Sequence, residues 1–119
     1  MSKLIVREKL RDYFKHKVSA EEAVEIKDAL KSMYGLILDV HPFAMAFIIR
    51  YSSGYTVDEI SQAFGIDRPE VIRIMHTAYA ILGDVLELDD ASVVRKAPPI
   101  LRQTAADILT KIYEEFREL

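Results

Sequence analysis

The sequence predicts an all-α fold, and three observations predict it. Apolar residues recur at steps of three and four in every long segment, the spacing that lines one side of a helix. Helix-start signals recur as well: Ser19 with Glu22, Thr56 with Glu59 and Asp67 with Glu70 each pair a capping side chain with a glutamate three residues on. No two alternating apolar runs are joined by a hairpin turn, so strands have no partners. At 119 residues, 50% of them hydrophobic, the chain can bury one adequate core. The expected organisation is an N-terminal helical pair over 1–38, a helix-turn-helix core over 39–84, a linker over 85–98 and a long C-terminal amphipathic helix over 99–119, folded together as one compact domain.

The elements follow in order. Ser2 to Lys17 reads as a helix with Ile5, Val6, Leu10, Tyr13 and Phe14 on its apolar stripe and basic residues around it. Ser19 with Glu22 opens a second helix, whose apolar residues are Ala23, Ile26, Leu30 and Met33 and which Gly35 is expected to stop after Tyr34. That stripe is too short for a coiled coil and is expected to pack within the chain. Leu36 to Val40 reads as a buried connection, and His41-Pro42 as the start of a helix running through Tyr51 to a stop at Ser52-Ser53-Gly54. Beyond the core, Asp84 to Asp90 alternates acidic and apolar residues and reads as a polar exit from the domain. Val93 to Pro99 is a linker by composition, since consecutive prolines exclude helix just before them. The last helix carries Ala105, Leu109, Ile112, Phe116 and Leu119, widened by Leu101, Ile108 and Tyr113. Something must cover so wide a stripe: the N-terminal helical pair, or the same helix of a second copy in a homodimer.

The stretch from Asp39 to Gly83 is the most informative. Thr56 and Glu59 open one short helix; Asp67 and Glu70 open a longer one eleven residues on, with Pro69 in its first turn, where a missing amide is no loss. Between them Phe64-Gly65-Ile66 supplies a residue that tolerates a left-handed conformation and an apolar anchor for the turn. Ile60, Ala63 and Phe64 on the first helix face Val71, Ile74, Met75, Ala78 and Leu82 on the second. A short helix, a tight turn and a longer helix with polar residues near its start is the arrangement that lays a recognition helix in the DNA major groove.

These residues resemble the C-terminal helix-turn-helix domain of bacterial sigma factors, which reads the upstream promoter element. The likeness runs through Phe47-Ile48-Ile49-Arg50-Tyr51, Gly54, Thr56, Glu59 and Ile60, and continues through Phe64, Gly65, Ile66, Arg68, Val71, Ile74, Ala78 and Leu82, so that it covers residues 39–84. It implies a promoter-reading domain whose second helix meets DNA. Where the family has arginine, glutamate and glutamine along the exposed face of that helix, this chain keeps Arg68 and Arg73 but places Pro69 and Ile72 between them.

Charge runs against a chain that grips DNA by sheer basicity. Sixteen basic residues stand against nineteen acidic ones, a net charge of −3. Within residues 40–84, Arg50, Arg68 and Arg73 face Asp58, Glu59, Asp67, Glu70 and Asp84, a net of −2. The positive charge sits instead in residues 3–17, where Lys3, Arg7, Lys9, Arg11, Lys15 and Lys17 outnumber Glu8 and Asp12. That arm reads either as a phosphate-contacting element or as a solvated helix that buries its stripe on the core.

Catalysis finds no support. There is no cysteine, which excludes disulfides, thiolate nucleophiles and sulfur-bound zinc. His16, His41 and His76 lack partners at metal-binding spacing, the adjacent carboxylates Asp58-Glu59 and Asp89-Asp90 diverge on a helix, no glycine-rich phosphate loop is present, and Ser52-Ser53 has no base beside it. No cofactor or metal is expected. No apolar run reaches the roughly 20 residues of a membrane span, and the start has no apolar core with a small-residue cleavage site, so a cytoplasmic location is the default expectation.

The expected function is a non-enzymatic DNA-binding transcription regulator acting on double-stranded DNA, as a homodimer. A protein-binding adaptor of RNA polymerase on the same scaffold is one alternative, suggested by the acidic balance and by Ile72 and Tyr79 on the outward face. A viral DNA-packaging or replication adaptor is another. Arg68 is the leading candidate for base contacts, with Arg73 and then His76 behind it. Thr56 and Tyr55 would position the backbone, and Lys9, Arg11 and Lys15 would meet phosphate.

Overall fold

The computed structural model describes residues 5–86 and 99–117, with 99–105 as backbone only. Six helices form among them: α1 (Arg7–Phe14), α2 (Ala20–Val40), α3 (Ala44–Ser52), α4 (Val57–Phe64), α5 (Arg68–Val85) and α6 (Pro99–Phe116). The protein is all-α, as the periodicity predicts. The expected linker beyond Leu86, the acidic residues Asp89 and Asp90, Leu119 and the first residues of the N-terminal helix lie outside the described residues.

α2 is the axis of the molecule and the largest departure from expectation. It runs unbroken through Gly35, so Leu36 to Val40 is helix rather than connection. A helical glycine costs about 1 kcal/mol relative to alanine. Continuing the helix carries Ile37 onto the stripe formed by Ile26, Leu30, Met33 and Tyr34, where it is wholly buried. A fully buried isoleucine contributes about 1.5–3 kcal/mol, so burial outweighs propensity. The real stop is Pro42, which disfavours the helical region for the residue before it. His41 is accordingly extended (φ −170°, ψ 143°), and its Nδ1 accepts the Phe43 amide at 3.0 Å. The chain turns by 104° there, and α3 starts at Ala44 instead of at the proline.

A single cluster of buried side chains passes through all six helices. α2 packs most extensively on α5, and α3 packs on both α5 and α6. The apolar stripe of α6 (Ile108, Leu109, Ile112 and Phe116) is buried against α3 chiefly and α2 in addition, with the Phe116 ring 6.1 Å from that of Tyr34. Cover for this helix therefore comes from within the chain, and from α3 more than from the expected N-terminal pair.

α1 is shorter than expected and lies against the start of α2 and the end of α6. Ile5 donates its amide to the Val85 carbonyl at 2.8 Å, Leu10 is buried, and Tyr13 donates its phenol to Glu115. Val6, expected on the stripe, is exposed. The helix closes with His16 at φ 57°, its amide bonded to Tyr13 and that of Lys17 to Asp12, the paired bonds of a left-handed helix end. No single helix among the described residues is long and apolar enough to cross a membrane.

Candidate nucleic-acid interface

α3, α4 and α5 form the helix-turn-helix, and its entry is fixed by local chemistry. The Thr56 hydroxyl accepts the Glu59 amide at 3.1 Å while Glu59 Oε1 accepts the Thr56 amide at 3.0 Å, so the expected capping box is complete. α4 ends at Gly65, whose left-handed conformation (φ 66°, ψ 33°) is one that side-chain-bearing residues rarely adopt. The Ile66 amide then bonds back to the Ser61 carbonyl. Ile60 is buried against α5, but Ala63, expected on the same face, is exposed.

The second capping box does not form. Asp67 stands at the N-cap of α5 without a side-chain bond, and the Glu70 carboxylate that would complete the box from the other side is engaged elsewhere. Its partner is Arg73, whose Nε donates to Oε2 at 3.1 Å and whose Nη2 donates to Oε1. Hydrogen bonding to Arg73 holds the Glu70 carboxyl below its ordinary range, helped by the charges of Arg73 and His41. Arg68 meets Asp58 of α4, Nε to Oδ1 at 3.1 Å. Both arginines are exposed, as is His76. One side of α5 thus presents Arg68, Arg73 and His76 to solvent, while Val71, Ile74, Met75, Ala78 and Leu82 fill the core on the other.

Tyr79 is a correction. Expected to face outward, it turns into the α3–α5 contact, where its phenol donates to the Ile48 carbonyl at 3.2 Å and lies 2.9 Å from the Ser52 hydroxyl. The carbonyl can only accept, so the Ser52 hydroxyl donates to the phenol oxygen. Ser52 is wholly buried, and this bond satisfies it. Burial pushes the Tyr79 phenol up to about 12.

Beside α4 lies a feature the sequence does not announce. The Arg50 guanidinium sits 5.6 Å from the Tyr55 ring and 5.2 Å from the Phe64 ring, and Phe64 lies 5.1 Å from Phe43. Tyr55 and Phe43 are each 45% exposed, so four planar groups form a surface row. Its members come from the two ends of α3, the loop after it and the end of α4, and periodicity within either helix gives no sign of the meeting. Glu70 and Arg73, by contrast, stand three apart on one helix, a pairing that spacing alone reveals.

The structure brings Arg68, Arg73, His76, Tyr55 and Thr56 to one end of the molecule and places Lys9, Arg11 and Lys15 at the other. Lys9 is paired with Glu22, near the start of α2, at 3.0 Å. At the end of α2 the His41 ring lies 5.6 Å from that of Phe43, which in turn meets Phe64 of α4. Between those two points stand about 28 Å of helix. Comparison of the chain with family models, with curated proteins and with solved structures returns no match.

Proposed function

We propose that the protein is a DNA-binding transcription regulator whose α5 enters the major groove of double-stranded DNA. The observation that carries this reading is the start of α5, which follows the capped helix α4 through a left-handed glycine turn and exposes Arg68 and Arg73 on the side away from the core. Arg68 is the principal base-reading residue, because a guanidinium can bond both acceptors of guanine at once. With both arginines given to base edges and set in an acidic surface, few phosphates are neutralised, so affinity is modest and its salt dependence shallow. Binding to a duplex selected from a random pool, followed by fluorescence anisotropy across a salt series with and without RNA polymerase, tests it. Arg68→Ala should reduce discrimination against a scrambled duplex by about tenfold or more. No binding to any selected duplex at low salt would overturn the reading.

A second reading, that of a protein-binding adaptor of RNA polymerase, is favoured by one specific feature, the row Tyr55, Arg50, Phe64 and Phe43. Exposed aromatics and arginine dominate the energetics of protein interfaces. If Arg50→Ala abolishes association with polymerase while Arg68→Ala and Arg73→Ala leave it intact, the adaptor reading replaces the first.

A further inference from the structure

We infer that Glu70 is a positioning residue that aims Arg73 at guanine, an inference that rests on the DNA-binding reading above. A guanidinium carries five N–H groups in one plane. The two bonds to Glu70 use the edge formed by Nε and one hydrogen of Nη2. The neighbouring edge, formed by Nη1 and the second hydrogen of Nη2, is left for another acceptor pair, and it matches the spacing of guanine O6 and N7. The pair is exposed, with the Arg73 side chain at 58% and that of Glu70 at 44%, so a base edge can approach without displacing the carboxylate.

The same carboxylate has an opposite effect on phosphate. Its negative charge weakens attraction of Arg73 to the DNA backbone, while its two bonds restrict the rotation an unpartnered arginine would lose on meeting a base. Glu70 therefore lowers sequence-independent affinity and raises discrimination. Arg68 differs in kind, since Asp58 touches its Nε from a separate helix through one oxygen and fixes its plane less completely.

The test measures wild type, Glu70→Ala, Arg73→Ala and the double variant against three duplexes: the selected site, a scrambled duplex, and the selected site with single guanines replaced by 7-deazaguanine, which lacks the N7 acceptor. At the guanine that Arg73 reads, 7-deazaguanine should weaken wild-type binding by about tenfold and leave both Arg73→Ala and Glu70→Ala nearly unaffected. Glu70→Ala should bind the scrambled duplex more tightly than wild type does, and in the Arg73→Ala background it should no longer change discrimination between the selected and scrambled duplexes. Circular dichroism verifies that each variant keeps its helices. An undiminished 7-deazaguanine penalty in Glu70→Ala, or an equal rise in affinity for all duplexes, overturns the inference and leaves the DNA-binding reading standing. Failure of the wild type to bind any duplex removes both.

Discussion

The two ends of α2 both carry cations, and they hold them differently. Where α2 ends, Arg68 and Arg73 each lie against a carboxylate and Arg50 lies between two rings. Where it starts, Lys9 is paired with Glu22, while Arg11 and Lys15 are exposed and form no ion pair among the described residues. Of these three cations at each end, all three are held at the first and one at the second. Recognition of a base needs a guanidinium plane at a set angle, whereas attraction to a phosphate backbone needs only charge. On the DNA-binding reading proposed above, charge density along the sequence favours α1 and side-chain orientation favours α5.

The strongest way to break this contrast is to remove the packing behind the head. Phe47 is wholly buried, with its ring 5.0 Å from Phe64 and 6.0 Å from His41, so it joins α3 to the α2–α3 corner and to α4. Phe47→Ala should cost about 3–5 kcal/mol in urea unfolding. It should also release the aromatic row, and loss of hydrogen-exchange protection should be greatest in α3 and α4. An equal loss in α1 would mean that the two ends are not separable.

A smaller effect comes from Tyr79, which clamps α5 to α3. Its phenol ordinarily ionises near 10.0, and burial raises this to about 12. A group with a raised folded value favours the native state most fully below its unfolded value. That contribution is lost as pH rises through the folded one. Stability should therefore decline between about pH 10 and pH 12, by on the order of 2–3 kcal/mol if this phenol alone is responsible. Tyr79→Phe should remove that part of the alkaline decline, as followed by thermal unfolding across the pH series.

What is legible in the sequence is mostly local. Thr56 with Glu59 and the glycine turn at Gly65 satisfy backbone groups within a few residues, and both appear as expected. Asp67 with Glu70 has the same spacing but a proline between them and an arginine three residues on, and that competing partner takes the carboxylate. Ser19 likewise caps the Glu22 amide while Glu22 itself turns to Lys9, a contact across elements that no spacing rule contains. Tyr79 is misread from sequence because its hydroxyl suggests solvent, while Ser52 and the Ile48 carbonyl supply a buried partner from a distant part of the chain. Of the site, the two arginines can be read from the motif and the row around Arg50 cannot.

Gly35 joins the two ends through α2. It lies in the helix interior, with nothing within 4 Å of the position a Cβ would take. Alanine should fit without a clash and reduce the entropy of the unfolded chain, so Gly35→Ala should stabilise the protein by about 0.5–1 kcal/mol. A destabilised Gly35→Ala protein would mean that α2 bends or opens at this residue, and the distance between its ends would then not be fixed.

The smallest expected effect bears most directly on the contrast. Lys9, Arg11 and Lys15 would meet phosphate only if one duplex reached from α5 along about 28 Å of α2 to α1. Each phosphate contact contributes about 0.9 to the slope of log affinity against log salt, so losing three would flatten that slope by about 2.7. With Lys9 already held by Glu22 and the other two extending from a helix packed on α2 and tied to α6 through Tyr13 and Phe14, we expect changing all three to alanine to leave the slope and the discrimination of the selected site unchanged. The Lys9–Glu22 pair is exposed, and its loss should cost no more than about 1 kcal/mol of stability. A slope flattened by two units or more would show that the duplex spans both ends, and α1 would then be part of the interface rather than a solvated support for the core.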